Sequence, residues 1–448
     1  MTTSQTSRGQ PLAVPPTLTA TVAATIDWHC IVIGAGPAGS AVAIRLAQAG
    51  QRVLLVDRSS MPRPKVCGCC LSPLAIAELR GLCPPGAVRS PLPLEGVCLL
   101  SAGRSARIPM AGGGILSRET LDASLVRRAI DVGADWLPDM LVEAIHDEGA
   151  ARSAATRDDG EVVVLAHRAT PEEPRATSLL RGRVAVIAAG LADTIRIVTG
   201  TVTTTRSRQP AARRTDASRG RRVAPGSRIG LGATLDSASL RDAAAVIHPP
   251  PGELVMAVAP HGYCGIVGLE DGRLDLAAAV DRRLIARAGG PAAAITQLLR
   301  TAGGDHLGSI GFDRVLEAVA AATFRATPPL THQSPLLGSP SRRILRVGDA
   351  AGYVEPFTGE GMGWALASGR ILAESLLIDP GSGNLVADAS RYEHQHERLF
   401  AGHHARCLRV ARGVRHPTVV SAAVRLAAAI PRAAAWALPL VTGASGRS

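Results

Sequence analysis

The chain has 448 residues, of which 46% are apolar and 19% charged, a composition that predicts two folded domains and excludes wholesale disorder. Its net charge is +12, but nearly all the positive charge is arginine and aromatic residues make up only 2%, so we expect no nucleic-acid binding. Eight cysteines are too sparse for a disulfide scaffold and no apolar run is long enough for a membrane span, which together indicate a cytoplasmic protein.

Residues 1–26 are rich in Thr, Pro and Ala and lack the pattern of a secretory signal, so we expect a flexible arm. Residues 27–58 then predict a buried strand, a glycine-rich turn, a helix and a second buried strand. The turn holds Gly34, Gly36 and Gly39 in the spacing G-x-G-x-x-G. This order of elements is typical of the β-α-β unit of a Rossmann-type domain.

The glycine-rich turn is the first candidate for cofactor binding. Its glycines would allow a tight turn, close approach of the backbone to a pyrophosphate, and close packing of helix on strand. The helix N-terminus offers amide donors to phosphate, and an acidic residue ending the second strand can accept hydrogen bonds from ribose. We assign to the cofactor site Gly34, Ala35, Gly36, Pro37, Ala38, Gly39, Asp57 and Arg58. The alternative is a glycine-rich turn that binds no ligand.

The next segment, residues 59–71, is rich in Pro, Gly and Cys and is a candidate functional loop. Its three cysteines are Cys67, Cys69 and Cys70. They permit a zinc site, which would need a second ligand pair at suitable spacing, or inert packing, or a reactive thiol beside a cofactor. A lowered thiol pKa would require a basic neighbour such as Arg63 or Lys65.

The middle of the chain changes pattern several times. Residues 96–110 predict a hairpin, a helix starts at a capping pattern at Ser117, and residues 183–190 predict another buried strand. Residues 199–228 have almost no large apolar side chains, so we expect a mobile Arg- and Thr-rich excursion. Apolar strands follow, with an Asp-Gly hairpin signal at 271–272.

Residues 342–376 predict a strand, a second glycine-rich loop and a long helix. An acidic residue after the strand could accept hydrogen bonds from a sugar or ribityl hydroxyl. The helix would aim its first amides at an anionic acceptor such as the N1/O2 edge of a flavin. The cofactor-site residues assigned here are Gly348, Asp349, Gly359, Gly361 and Met362. The alternative is a loop whose glycines serve only turns.

These two elements and their separation resemble the flavoprotein superfamily of geranylgeranyl reductases and group A aromatic hydroxylases. The segment GDAAGYVEPFTGEGM at 348–362 carries the strongest similarity. PRPKVCG at 62–68 is similar to the reductase branch, in which a Cys-Gly pair approaches the flavin ring, and this makes Cys67 a catalytic candidate. SRETLDASL at 117–125 resembles a helix start whose arginine lies near the FAD phosphates, which here is Arg118.

The resemblance spans residues 27–376 and implies FAD in extended form, NADPH or NADH as reductant, and substrate between the flavin and a sheet. One departure is Ala189-Gly190, where the hydroxylases usually have Asp-Gly. The favoured function is therefore reduction of carbon–carbon double bonds in an isoprenoid or other lipid-like substrate. The alternatives are an NAD(P)H-dependent monooxygenase that hydroxylates an aromatic or polyketide substrate, and a non-catalytic flavin-binding protein. We assign no metal ligands.

The predicted fold class is α/β, with a Rossmann-type FAD-binding domain interleaved with a mixed-sheet substrate domain and followed by a C-terminal helical segment. Each domain is assembled from separated stretches of chain. We assign residues 27–88, 114–190 and 336–380 to the FAD-binding domain, residues 89–113 and 191–335 to the substrate domain, and residues 381–448 to the helical segment.

Further candidates carry two interpretations each. His261 and Tyr263 could face the flavin or be ordinary residues of a sheet, and Glu355 and Glu360 could act as an acid or gate or be solvated loop residues. The C-terminal stretch 403–443 alternates apolar helical segments with arginines. Such a stretch can lie on a membrane surface, as would suit a lipid substrate, or pack on its own body.

Overall fold

The computed structural model describes residues 12–148, 161–169, 176–199, 221–235, 251–303, 310–336, 342–355, 357, 359–378 and 385–429. Its helices are α1 (Ala20–Ala23), α2 (Pro37–Gln48), α3 (Pro73–Leu82), α4 (Arg118–Asp131), α5 (Arg282–Ala288), α6 (Pro291–Gly303), α7 (Ile310–Ala321), α8 (Gly361–Ser375), α9 (Ala389–Gly413) and α10 (Pro417–Ala429). Its strands are β1 (Asp27–Ile33), β2 (Val53–Val56), β3 (Cys70–Leu71), β4 (Leu92–Ser101), β5 (Arg104–Ile115), β6 (Asp135–Leu137), β7 (Met140–Asp147), β8 (Val162–Arg168), β9 (Ser178–Ile187), β10 (Arg196–Thr199), β11 (Arg222–Val223), β12 (Ile229–Leu235), β13 (Glu253–Ala259), β14 (Gly262–Gly268), β15 (Leu274–Val280), β16 (Arg325–Pro329), β17 (His332–Gln333), β18 (Ile344–Arg346), β19 (Gly352–Tyr353), β20 (Leu376–Ile378) and β21 (Leu385–Ala387).

The first sheet has the strand order β10-β7-β8-β9-β1-β2-β6, with β18 beside β9. Strands β1, β2, β6, β9 and β18 are parallel, and Ile31 of β1 pairs with Leu54 of β2. The central strands are continuous apolar runs because both faces are covered: α2, α3, α4 and α8 pack on one face and α1 packs on the other. The predicted β-α-β unit and α/β fold class are confirmed.

The second sheet has the order β16-β12-β15-β14-β13-β4-β5-β3 and is antiparallel except where β13 meets β4. Helices α6 and α7 cover one face, where Leu276, Leu298 and Val315 share a buried cluster. The opposite face carries Met256 and Tyr263 and turns toward the loop that precedes α8. The chain enters this sheet after β2 and returns to the first sheet through α4, so the two domains are interleaved.

Local sequence signals mark where the helices and strands around the site begin and end. The Ser117 hydroxyl accepts a hydrogen bond from the Thr120 N–H and so caps α4, as its capping pattern predicts. Gly50, at φ +74°, adopts the left-handed conformation just after α2. Gly272, at φ +88°, lies in the tight turn that joins β14 to β15.

The N-terminal segment differs from the prediction of a flexible arm. Within residues 12–26, Val14 is buried and its N–H donates to the Met61 carbonyl oxygen, while α1 packs Ala23 against the first sheet. The prediction was wrong here because sparse apolar residues, separated by prolines and threonines, still find buried positions. Residues 1–11 lie outside the described part of the chain.

Two boundaries of the predicted substrate domain also differ. Strand β10 at 196–199 pairs in parallel with β7 and therefore extends the first sheet. Residues 221–228, which were assigned to the mobile excursion, form β11 and a turn that ends at Arg228. The Arg228 side chain is fully buried and forms ion pairs with two acidic residues. Residues 200–220 of that excursion lie outside the described residues.

The C-terminal helices pack on the body of the protein. In α9, Phe400 and Cys407 share a buried cluster with Trp364 of α8, and in α10, Val424 packs against Ala106 of β5. The segment AAWALPLVTG lies outside the described residues. Within the described part of the chain, no helix is both long and apolar enough to cross a membrane.

Candidate functional site

The glycine-rich turn between β1 and α2 has two glycines fixed by packing and one that faces open space. A Cβ at Gly34 would lie 2.3 Å from the Ala188 carbonyl oxygen, and one at Gly39 would lie 1.9 Å from the Gly34 carbonyl oxygen. A Cβ at Gly36 would meet only the Arg118 guanidinium, at 3.8 Å. The middle glycine therefore leaves room for a ligand to approach the N-terminus of α2, where Pro37 occupies a first-turn position.

Asp57 ends β2 beside this turn and is 7% exposed. Its carboxylate accepts hydrogen bonds from the N–H groups of Ala35 at 2.7 Å and Ser59 at 3.0 Å, and from Arg63 at 3.2 Å. Two carboxylate oxygens offer about four acceptor positions, so one remains for a ribose hydroxyl. Arg58 has an exposed side chain beside this carboxylate.

Arg118 begins α4 and is held by an acidic residue that sequence reasoning missed. The Asp122 carboxylate, which is fully buried, accepts hydrogen bonds from Arg118 Nε at 2.9 Å and Nη2 at 2.8 Å. The i,i+4 spacing of an arginine and an aspartate on a predicted helix could have revealed this pair. The two-point contact fixes the guanidinium beside Gly36, as the predicted proximity to phosphate requires.

The second glycine-rich loop docks on the first. Gly348 has φ +61°, and a Cβ there would lie 2.7 Å from the Ala38 Cβ, while a Cβ at Gly369 of α8 would lie 2.5 Å from the Ala38 carbonyl oxygen. Helix α8 starts at Gly361, as predicted, and no side chain caps its first turn. The first turn of α2 therefore packs against the middle of α8, and each helix has N-terminal backbone amides available to an anionic group.

Asp349 lies where both glycine-rich elements and the cysteine loop converge. Burial raises the pKa of the Asp349 carboxyl to about 6, although the charges of Arg118 and Lys65 act to lower it. Burial also lowers the pKa of Lys65 to about 8, and the charge of Arg63 adds to that effect. These positive charges surround a half-buried acidic residue and favour an anionic ligand such as a pyrophosphate.

The cysteine loop contains two thiols of opposite character. A hydrogen bond from the Cys69 thiol and the charge of Arg118 hold the pKa of Cys67 below its usual value, although burial opposes them. Hydrogen bonding to Cys67 and burial raise the pKa of Cys69, and burial raises the pKa of Cys70. The cation beside Cys67 is thus Arg118, rather than Arg63 or Lys65 as the sequence suggested. Inert packing describes Cys70 but not Cys67.

A cavity separates this loop from the second sheet. It is lined on one side by Lys65, Cys69 and Arg118, and on the other by Gly232 of β12 and Asp275 of β15. Asp275 is 6% exposed, and its Oδ2 atom has no hydrogen-bond partner among the described residues. Burial raises the pKa of this carboxyl. Sequence reasoning missed Asp275, whose only signal is a single acidic residue within an apolar strand.

A second buried network lies beside the loop that precedes α8. Arg228 Nη1 donates to the Glu355 carboxylate at 3.1 Å, and the Arg228 guanidinium lies 5.6 Å from the centre of the Tyr263 ring. Tyr263 in turn makes an edge-to-face contact with Phe357 at 4.9 Å. Glu355 and Glu360 are 1% and 8% exposed, so their interpretation as solvated loop residues is wrong.

His261 differs from its neighbour in strand β14. Its side chain is half exposed, with Nδ1 lying 3.5 Å from the Asp281 carboxylate, whereas Tyr263 is buried. These positions do not establish either residue as a flavin contact. In the described part of the chain, no group of three or more His, Cys, Asp or Glu side chains is placed to hold a metal ion.

Comparison with known proteins agrees with this geometry. A family model described as an NAD(P)-binding Rossmann-like domain matches residues 32–73. The menaquinone reductase of Mycolicibacterium smegmatis is 34% identical over 33% of this chain and 38% of its own length. The digeranylgeranylglycerophospholipid reductase 1 of Methanopyrus kandleri is 26% identical over 78% of this chain and 80% of its own length.

The chain is thus similar in sequence to geranylgeranyl and menaquinone reductases over parts of its length, and it has a Rossmann-type flavoprotein fold. It spans little more than a third of the length of the menaquinone reductases that it matches. Among solved structures, a flavoprotein/dehydrogenase from Cytophaga hutchinsonii has a TM-score of 0.65, with 15% identity over 94% of this chain and 93% of the other. A flavin-dependent brominase has a TM-score of 0.64, with 16% identity over 94% of each chain. At these identities the likeness establishes the fold of the superfamily and nothing finer.

The residues of this chain fit FAD. The open side of Gly36 would receive the pyrophosphate at the N-terminus of α2, and Asp57 retains an acceptor for a ribose hydroxyl. Asp349 would accept from the ribityl chain, and the uncapped N-terminus of α8 would face the flavin edge. Each of these residue assignments stays a prediction.

Proposed function

We propose that this chain is an FAD-dependent oxidoreductase that reduces carbon–carbon double bonds of an isoprenoid or other lipid-like substrate, with NADPH or NADH as reductant. The observation that carries the proposal is the apolar face that the second sheet turns toward the start of α8. Met256, Val258 and Ala279 are buried there in one cluster with Tyr353 and Phe357. Apolar surroundings suit a hydrocarbon chain better than a small polar phenol.

FAD, when bound, would supply hydride transfer. The chain would contribute the electrostatics of that transfer: the amides at the N-terminus of α8 would stabilise negative charge at the flavin edge, and Arg118 would neutralise charge on the phosphate side. Both are fixed before substrate binds, Arg118 by Asp122 and α8 by its packing on α2. Preorganised dipoles of this kind need no rearrangement during the reaction.

Reduction of a double bond also needs a proton. Because its pKa is lowered, Cys67 is a poor donor at neutral pH, whereas Cys69 keeps its proton and shares a hydrogen bond with Cys67. Cys69 is therefore the protonated member of the pair. Donation of its proton would leave a thiolate at Cys69 next to the Cys67 thiolate, and Arg118 is the nearby cation that would stabilise this charge. The catalytic assignment predicted for Cys67 alone becomes a proposal for the pair.

We also propose that α10 makes peripheral contact with a membrane. Val419 and Leu426 are 53% and 60% exposed on its outer surface, and Arg425 is exposed beside them. An apolar stripe flanked by arginine is suited to the surface of an anionic bilayer. The inner side of α10 packs on β4 and β5, so a bound membrane would lie against the substrate domain.

Anaerobic rapid mixing tests the reaction class. The protein is reconstituted with FAD, reduced with NADPH, NADH or dithionite, and mixed with a prenyl lipid or with oxygen while the flavin absorbance is recorded. The proposal predicts oxidation of the flavin by the prenyl lipid in the absence of oxygen, with hydrogen gained by the lipid. A transient flavin peroxide absorbance that an aromatic ligand lengthens would favour the monooxygenase instead. Stoichiometric FAD without turnover on any acceptor would favour a binding protein.

A further inference from the structure

Cys67 and Cys69 are separated only by Gly68, and the backbone brings their side chains together. Cys69 has φ +52°, a left-handed conformation that few residues other than glycine adopt. This turn of the chain places the Cys69 thiol 3.9 Å from the Cys67 carbonyl oxygen and within hydrogen-bonding contact of the Cys67 thiol. Cys70 belongs to β3 and is buried in the same apolar cluster as Cys69, and burial and the charge of Cys67 raise its pKa.

The surroundings of the two thiols differ in a way that suits stepwise oxidation. Cys67 is half-buried and lies next to Arg118, which stabilises a thiolate, the form of cysteine that attacks peroxides. Cys69 remains a thiol, and the Asp275 carboxylate lies beside it in the cavity between the domains. One nucleophilic sulfur and one resolving thiol are therefore adjacent.

The other cysteines lack this arrangement. Cys30, Cys70, Cys83, Cys264 and Cys407 are buried, and half-buried Cys98 has a pKa raised by burial and by Glu253. Oxidation of thiols follows thiolate character and exposure. Of the eight cysteines, Cys67 is consequently the expected first target.

We propose that the Cys67-Gly68-Cys69 segment is a two-electron redox site that hydrogen peroxide oxidises to a disulfide and that a dithiol reduces again. The Cys67 thiolate attacks one peroxide oxygen, the O–O bond breaks, and the departing hydroxide is protonated to water, leaving a sulfenic acid. The Cys69 sulfur then attacks the Cys67 sulfur, the S–S bond forms, the S–O bond breaks, and the hydroxide leaves with the Cys69 proton as a second water. Two thiols and one peroxide thus give one disulfide and two waters.

Apart from the peroxide and the reducing dithiol, this chemistry uses only protein groups, and it goes beyond the proposed reductase activity without depending on it. Formation of the disulfide would remove the negative charge that Cys67 places beside Arg118 and Asp349. It would also consume the Cys69 proton, so an oxidised protein could not protonate a substrate through this pair. The segment would then respond to peroxide at the same place where the reaction is proposed to occur.

The test counts thiols in the full-length protein. The reduced protein is treated with a small excess of hydrogen peroxide, denatured, labelled with a maleimide polymer, and analysed on gels and by mass spectrometry of the peptide that follows Lys65. We expect the wild type to lose two thiols and to regain both with dithiothreitol. Cys69→Ser should lose one thiol and retain a sulfenic acid at Cys67 that dimedone traps, and Cys67→Ser should lose none.

Cys70→Ser is the matched control, because this neighbour is buried and should not affect the two-thiol loss. Cys67→Ala and Cys69→Ala serve as second variants if a serine disturbs folding, which near-ultraviolet circular dichroism reports. The proposal is overturned if the wild type keeps all eight thiols, if its loss requires Cys70, or if dimedone labels Cys67 equally in the wild type and in Cys69→Ser.

Discussion

Arg118 and Asp122 form two hydrogen bonds, at 2.8 and 2.9 Å, between neighbouring turns of the same helix. Because the Asp122 carboxylate is fully buried, this contact fixes the orientation of the guanidinium more firmly than an exposed ion pair of the same spacing would. It holds the guanidinium at the open side of Gly36, where the pyrophosphate of a dinucleotide would lie. Arg118, a residue far along the chain from this turn, would therefore complete an anion site there.

Removal of the Asp122 carboxylate should weaken FAD binding. In Asp122→Asn the Arg118 guanidinium loses its fixed orientation, and we expect the FAD dissociation constant to rise about tenfold, or about 1.4 kcal/mol. Fluorescence titration of the apoprotein with FAD measures it. The control is Glu374→Gln, which removes the i,i+4 partner of Arg370 on an exposed part of α8. Equal FAD affinity in the two variants would contradict the role given to Asp122.

Two alanine substitutions in the glycine-rich turn should separate binding from folding. Gly36→Ala places its Cβ in open space, so the apoprotein should unfold at nearly the wild-type temperature while FAD affinity falls by at least tenfold. Gly39→Ala places its Cβ 1.9 Å from the Gly34 carbonyl oxygen, so the apoprotein itself should be destabilised by several kcal/mol. Calorimetry with and without FAD distinguishes the two variants. Equal apoprotein stability and equal FAD affinity in both variants would refute the separation of binding from folding.

The pKa of Asp349, raised to about 6, predicts a pH-dependent stability. The pKa of this carboxyl in the unfolded chain is about 4, and below that pH the carboxyl is protonated in both the folded and the unfolded state. Between about pH 4 and 6 it is protonated only in the folded state. Stability is therefore lost through this window as pH rises, and the loss is constant above it. Asp349→Asn removes the effect, so the apoprotein variant should gain up to about 3 kcal/mol over wild type from pH 4 to 7. Urea unfolding at these pH values measures the difference in the free energy of unfolding between the variant and the wild type. A difference that does not change with pH would contradict the assignment.

The exposed side of α10 should control vesicle binding. Val419→Glu and Leu426→Glu place charges on its apolar stripe, and we expect each to reduce sedimentation with anionic phospholipid vesicles at least fivefold. Leu141→Glu is the control, since Leu141 is 38% exposed on β7 of the other domain. The membrane proposal would be contradicted if the wild type did not bind the vesicles, or if only the Leu141→Glu control lost binding.

Local patterns were sufficient to predict most of the first domain. The spacing of Gly34, Gly36 and Gly39 and the start of α8 at Gly361 follow from neighbouring residues, because tight turns and helix starts are decided locally. The contact of Arg228 with Glu355 joins residues more than a hundred positions apart, and no short pattern contains it. The same holds for Asp275 beside Cys69, whose proximity depends on how the second sheet meets the cysteine loop.

The measurement that bears most directly on the account is the flavin content of the purified protein after incubation with FAD and removal of excess ligand. We predict one FAD per chain, with an absorption spectrum bleached by dithionite and a higher unfolding temperature than the apoprotein. Asp122→Asn and Gly36→Ala should retain less FAD than wild type. A folded wild-type protein that remains colourless and takes up no FAD would contradict the central claim.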